Sequence, residues 1–298
     1  MMPTSFDISQ LPSLQDGMSI QEESMKRRKT CRFIEESGRI LKLPRVAIAT
    51  AMVFFHRFYA KHSFAQHDRF EVAVACLLLA AKTEESPKKL VVVLEECQKL
   101  KWRGMQAGSA SVKPPDLDPK GEEFSKLKER VLLLERVILH TIGFELSIDH
   151  PYKFLVEQIK QLVQGKKLIY QNNHTPVGLS SPQQQQQHMM NEMVQLAMNF
   201  ANDSMHTSLC LQFDPKKIAL TCVYLAAQFG HLMPANESDD WCDSLLSIDP
   251  ASLVSIALQL IELIAERKGS DPTVLNQVKE RLEVWTTLEP QTKRPRVE

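Results

Sequence analysis

Residues 72–89 read VAVACLLLAAKTEESPKK. Val72 to Ala81 carry no charge, and Lys82 then closes the run ahead of two acids and Pro87. A segment this apolar on every side, opened by Asp68 and long enough for four turns, predicts a helix over Arg69–Thr83 enclosed by other helices. Small residues (Ala73, Ala80, Ala81) allow those neighbours to approach closely. Lys82 has two readings on this evidence. A cation at a helix C-terminus is favourable through the helix dipole alone, or the ammonium is aimed at a partner.

The same segment occurs twice. Residues 51–82 align on 197–228 without a gap. Ala51, Met52, Phe54, Gln66, Asp68, Ala73, Cys76, Leu79, Ala80 and Ala81 recur as Ala197, Met198, Phe200, Gln212, Asp214, Ala219, Cys222, Leu225, Ala226 and Ala227. VAVACLLLAA in the first copy reads IALTCVYLAA in the second. Internal similarity of this kind predicts one helical bundle used twice. Lys82 falls opposite Gln228, so the second copy does not keep the lysine.

Working outward, residues 1–21 read as a flexible arm. Helices are expected from about Glu22 to Leu41, from Pro44 through FFHRFY, and from a Ser86-Pro87 cap onward. Another runs from about Gly121 to Ile142, ended by Gly143. GMQAGSASVKPPDLDP reads as a loop. After His150 the pattern restarts with a helix from Pro151 to Val163. The Gln-, Asn-, Ser- and Pro-rich stretch at 165–188 is low in complexity and is expected to be disordered. A helix from about Met190 to Ser208 follows. Asp214-Pro215, Asp249-Pro250 and Asp271-Pro272 are three further cap-plus-proline helix starts. No segment shows the alternation of a strand. The fold class is therefore all-α.

Composition restricts function. Lys+Arg and Asp+Glu number 36 each in 298 residues, so the chain offers phosphate no bulk attraction, and no direct nucleic-acid binding is expected. KRRK at 26–29 and TKRPR at 292–296 are local basic clusters; the second is a candidate nuclear-import signal. The cysteines (31, 76, 97, 210, 222, 242) form no CxxC pair and lack zinc-finger histidines, which suggests a reducing, intracellular setting. No apolar run reaches membrane-spanning length, and MMPTSFDISQLPSLQDG is not built like a signal peptide. His56, His62 and His67 lack a metal-binding spacing with carboxylates. No nucleophile elbow, P-loop or HExxH occurs.

FFHRFY, AVACLLLAAKTEESPKK and LLLERVILHTIGFEL, set in tandem bundles, resemble the cyclins over about residues 22–268. LAAKTEESPKK and FELSIDHPYKFL look like the transcriptional cyclins of types K and T. CRFIEESGRILKLPRVAIAT looks more like type L, and FANDSMHTSLCLQFDP fits all three. The resemblance implies two five-helix cyclin boxes: an N-terminal box at 22–148 and a C-terminal box at 149–268 carrying the 165–188 insert. A helix and basic tail would follow at 269–298.

It also implies a chain with no catalytic residue, cofactor or metal, which binds a cyclin-dependent Ser/Thr kinase and moves its C-helix inward. That kinase would phosphorylate the C-terminal domain of RNA polymerase II in the nucleus, promoting elongation. In the family pattern a lysine ending the third helix and a glutamate on the fifth bond the kinase backbone, and apolar residues after the glutamate pack on it. The matching residues are Lys82, Glu135, Leu139 and Phe144. Read without the resemblance, Glu135 would be a solvated acid or a partner of Arg136, and Phe144 a core residue. The first helix lacks the Met-Arg-Ala-Ile-Leu type docking patch of cell-cycle cyclins, and no destruction box is evident. An L-type role in splicing is the nearest alternative. A B-type general transcription factor shares the double fold but calls for a zinc ribbon and a basic surface.

Overall fold

The computed structural model describes residues 6–105, 118–171, 181–236, 238–266 and 272–287. The chain divides into two compact units, Met1–Ile148 with Met205–Gln212, and Asp149–Ser204 with Phe213–Glu298.

In the first unit a short helix α1 (Pro12–Gln15) precedes α2 (Ile20–Ile40), α3 (Arg45–Phe58), α4 (Arg69–Thr83), α5 (Leu90–Met105) and α6 (Glu122–Thr141). α4 is the axis: α2, α3, α5 and α6 all pack on it, and Val72 to Ala81 are buried without exception. Burying leucines such as Leu77, Leu78 and Leu79 is worth about 2 kcal/mol each, and α3 adds the buried rings of Phe54, Phe55 and Phe58. Asp68 opens it, its carboxylate accepting from the amides of Phe70 at 2.9 Å and Glu71 at 3.0 Å. α2 and α3 cross closely at Gly38, where a Cβ would fall 2.5 Å from Cγ1 of Ile48.

One polar cluster is sealed in this core. The Arg27 guanidinium bonds the carboxylate of Glu23, Nδ1 of His56 (3.1 Å) and the carbonyls of His56 and Tyr59. Nε2 of His56 donates to the Met205 carbonyl at 2.9 Å. A second polar group holds the segment that carries helix α9 (Leu209–Gln212). Glu35 accepts from Arg45 at 2.8 Å and from His206 at 3.0 Å.

The second unit contains α7 (Tyr152–Gln164), α8 (Pro182–Ser204), α10 (Pro215–Phe229), α11 (Pro250–Ala265) and α12 (Pro272–Thr287). α10 takes the place of α4: Ile218 to Gln228 are buried, and α7, α8 and α11 pack on it. Asp214 and Asp249 cap as their sequence suggests, accepting from Lys216 N at 2.7 Å and Ser252 N at 2.8 Å.

Several expectations are corrected. The arm at 1–21 is not free along its described part: Leu11 is buried, and the Ser13 hydroxyl accepts from the Phe64 amide at 3.0 Å. α5 starts at Leu90, not at the Ser86-Pro87 cap, because 84–86 are used to end α4. The amide of Ser86 bonds back to Ala81 O at 2.8 Å, with Glu85 left-handed between them.

The 165–188 stretch is partly ordered. Leu168–Tyr170 (β1) pairs antiparallel with Leu232–Pro234 (β2), strands too short to show alternation. The glutamines at 183–187 form the first turns of α8, which starts eight residues before Met190. Ser181 caps Gln184 N at 3.2 Å, and Gln186 donates to Val163 O at 2.9 Å. Glutamine is a good helix former, so its repetition alone does not prevent a helix. Residues 172–180, Asp271 and the basic cluster at 292–296 lie outside the described residues.

Candidate functional site

Lys82 lies in the last turn of α4 and Glu135 midway along α6, the helix packed beside it. Their side chains meet. Nζ of Lys82 lies 2.7 Å from Oε1 and 2.9 Å from Oε2 of Glu135. The two ends of the pair differ in environment, since the lysine side chain is 51% exposed and the glutamate side chain 10%. Glu135 is thus an anion set into the bundle wall, with the ammonium across its opening. An ammonium has three donors, and Glu135 takes two. Lys82 therefore keeps a donor for another carbonyl, and its displacement would present a carboxylate to an amide. A second link, the bidentate pair of Arg130 and Glu71 (2.9 to 3.1 Å), ties α6 to α4 further along.

Leu139, one turn after Glu135, is half-buried. Gly143 (φ +66°) ends α6 through a left-handed turn in which Gly143 N bonds His140 O at 3.1 Å and Phe144 N bonds Leu139 O at 3.0 Å. The turn carries Phe144 outward. Its ring is 60% exposed and meets His140 edge-on at 5.2 Å between centroids. The core reading of Phe144 therefore fails. Of the four sequence candidates, Lys82 and Glu135 touch, Leu139 follows on α6, and Phe144 lies in the turn after it. Leu133, also on α6, is 59% exposed but lies two residues from Glu135 and so turns to the other face of the helix, away from the pair.

The other titratable groups serve the interior. His56 is buried, and desolvation together with the Arg27 charge holds it well below the usual imidazole range, at about 3. His62 stacks on Phe58 at 4.4 Å, and burial lowers its pKa. Burial raises every cysteine, Cys97 and Cys210 to about 12, so these thiols are poor nucleophiles. Among the described residues no three His, Cys, Asp or Glu side chains gather as a metal site.

Two helical bundles, each built around a buried third helix, with a Lys–Glu pair on the first, define the class of fold. Residues 5–147 match the family model of the cyclin N-terminal domain. Three relatives are similar over most of the chain. Cyclin-T1-3 of Oryza sativa subsp. japonica is 34% identical over 87% of this chain and 47% of its own length. Cyclin-K of Homo sapiens is 35% identical over 74% and 32%. Cyclin-L1 of Homo sapiens is 30% identical over 92% and 46%. The chain belongs to the cyclin family, among the transcriptional cyclins of types T, K and L. It spans less than half the length of these three relatives.

Two solved structures share the fold. The yeast RNA Pol II CTD kinase CTDK-1 complex matches with a TM-score of 0.64 at 16% identity, covering 100% of this chain and 87% of that one. The yeast TFIIK (Kin28/Ccl1/Tfb3) complex matches at 0.55 and 19%, covering 88% and 96%.

Proposed function

We propose that this chain is the regulatory, non-catalytic subunit of a cyclin-dependent Ser/Thr kinase, and that the kinase docks on the α4–α6 side of the first unit. The observation that carries the reading is the Lys82–Glu135 pair, with Leu139 one turn further along α6 and Phe144 exposed in the turn that follows it. Lys82 and Glu135 exchange their mutual bonds for kinase backbone groups, while Leu139 and Phe144 supply the apolar contact that gives such an interface its affinity. Because backbone groups are bound, the pair recognises the position of a kinase helix and not its side chains. Residues 22–148 and 149–268 are the N-terminal and C-terminal cyclin boxes; the compact units differ from these bounds in that Met205–Gln212 joins the first and α12 the second.

The substrate of the complex is the C-terminal domain of RNA polymerase II, and its place is the nucleus. The kinds of cyclin among the relatives and the CTD kinase named for one structural neighbour support this. A splicing-linked role of the L kind is supported by the Cyclin-L1 match over 92% of the chain. Affinity purification with mass spectrometry of the captured kinase, followed by assay on a polymerase repeat peptide, tests the reading. Recovery of a kinase active on that peptide supports it. Capture of no kinase contradicts it, and splicing factors in place of elongation factors favour the L-type role.

A further inference from the structure

Phe144 has φ +59°, a left-handed backbone that is unfavourable for an aromatic residue and persists only where its surroundings impose it. Those surroundings come from the end of α3 and the turn after it. Nζ of Lys61 donates to Thr141 O at 2.8 Å, satisfying one of the carbonyls that the last turn of α6 leaves open. The Thr141 hydroxyl donates to Val137 O at 2.7 Å, so it accepts from His62, whose Nε2 lies 3.0 Å away. His62 is itself fixed by its stack on Phe58. Beyond the turn, Nη1 of Arg57 reaches Glu145 at both the carbonyl (3.5 Å) and the carboxylate (3.4 Å). Three side chains from one stretch of six residues, 57–62, thus hold the chain on both sides of Phe144, at Thr141 and at Glu145.

We propose that Arg57, Lys61 and His62 are positioning residues for partner binding. They hold the end of α6 so that Phe144 stands outward before the kinase arrives, which lowers the ordering cost of association. The inference rests on the proposed docking surface and identifies what prepares it.

The test uses the full chain with Lys61→Met and His62→Phe combined, which keeps the lysine stem and the stacked ring but removes both donors. Amide hydrogen exchange of the free chain and affinity for the co-purified kinase are measured together. Loss of two donors is expected to speed exchange at Gly143–Glu145, and to weaken kinase affinity, by about ten-fold each. The melting temperature should stay close to the parent's, and Lys61→Arg combined with His62→Phe, which keeps a donor for the Thr141 carbonyl, should recover most of the affinity. Unchanged exchange would overturn the proposal. So would faster exchange with unchanged affinity, provided Phe144→Ala still weakens binding. If Phe144→Ala leaves affinity unchanged, the docking surface is wrong and the positioning role falls with it, while the exchange data still show whether the turn is clamped.

Discussion

Arg281 donates to the side-chain oxygen of Gln228 at the register where Glu135 meets Lys82 in the first unit. Each pair is 53 residues apart, and the second follows the first by 146 residues, the offset of the internal repeat. Both units therefore carry a polar crossing at this register between the central helix and the last helix of the bundle. They differ in charge and exposure: Lys82 is half open to solvent, whereas Gln228 is 5% exposed. The crossing belongs to the architecture, and the exposed ion pair is particular to the first unit.

That correspondence predicts the outcome of grafting. Gln228→Lys places an ammonium in a buried position against Arg281 and should cost about 1–3 kcal/mol. Adding Arg281→Glu rebuilds the Lys–Glu pair and should recover most of the loss, a coupling that a double-mutant cycle by urea denaturation would measure. Additive effects would show that the two crossings are not equivalent.

Lys82 contributes little to the stability of the free chain. Its pair with Glu135 is half exposed, and such pairs are worth roughly 1 kcal/mol or less. Lys82→Ala alone would leave the 10%-exposed Glu135 carboxylate unpaired, so the variant that isolates docking is Lys82→Ala with Glu135→Gln, which should barely move the urea midpoint while weakening kinase capture by about ten-fold or more. Equal losses in stability and in capture would mark the pair as structural.

How far this was legible in the sequence depends on the range of each signal. The buried helix, its Asp68 cap and its repeat at 215–229 are local patterns, and they read correctly. Asp214 and Asp249 cap for the same reason. β1 and β2 escaped because three residues cannot display a period and each strand exists only through the other. Ser86-Pro87 misled because the end of α4 claims Ser86 before α5 can begin. Lys82 and Glu135 each matched a family motif, but no sequence rule states that two residues 53 apart bond to one another. The Gln228–Arg281 crossing was hidden altogether, since Arg281 and Glu135 share no chemistry and only packing aligns them.

The sealed cluster around Arg27 should dominate stability. Arg27→Met leaves the buried Glu23 carboxylate without its counter-charge, a loss of about 3–5 kcal/mol, or roughly 10 °C in melting temperature. Glu23→Gln combined with Arg27→Met should recover part of it. A melting temperature unchanged in Arg27→Met would contradict the burial of this pair.

Acid should weaken the first unit in two overlapping windows. His56 titrates at about 3 in the folded chain against 6.5 in its ordinary state. Its Nδ1 accepts from Arg27, leaving no room for a second proton. Between those values the unfolded chain takes up a proton that the folded chain refuses, so stability is full above about pH 6.5 and falls as pH drops toward 3. Glu35 is held at about 2, chiefly by its bond from His206 and then by Arg45, against an ordinary 4.5. Its contribution is complete above pH 4.5 and disappears as pH falls toward 2. Urea midpoints measured from pH 7.5 to 4.5 should decline, less steeply in His56→Gln. A flat profile in the parent would contradict the buried, neutral imidazole.

The central claim is that the α4–α6 side of the first unit docks and activates a kinase. Its most direct test is reconstitution of the co-purified kinase with this chain, with phosphorylation of a polymerase C-terminal repeat peptide as the readout. The parent chain should raise activity well above the kinase alone. Lys82→Ala with Glu135→Ala should abolish most of that rise while the chain still melts as a folded protein. Full activation by the doubly substituted chain would contradict the account.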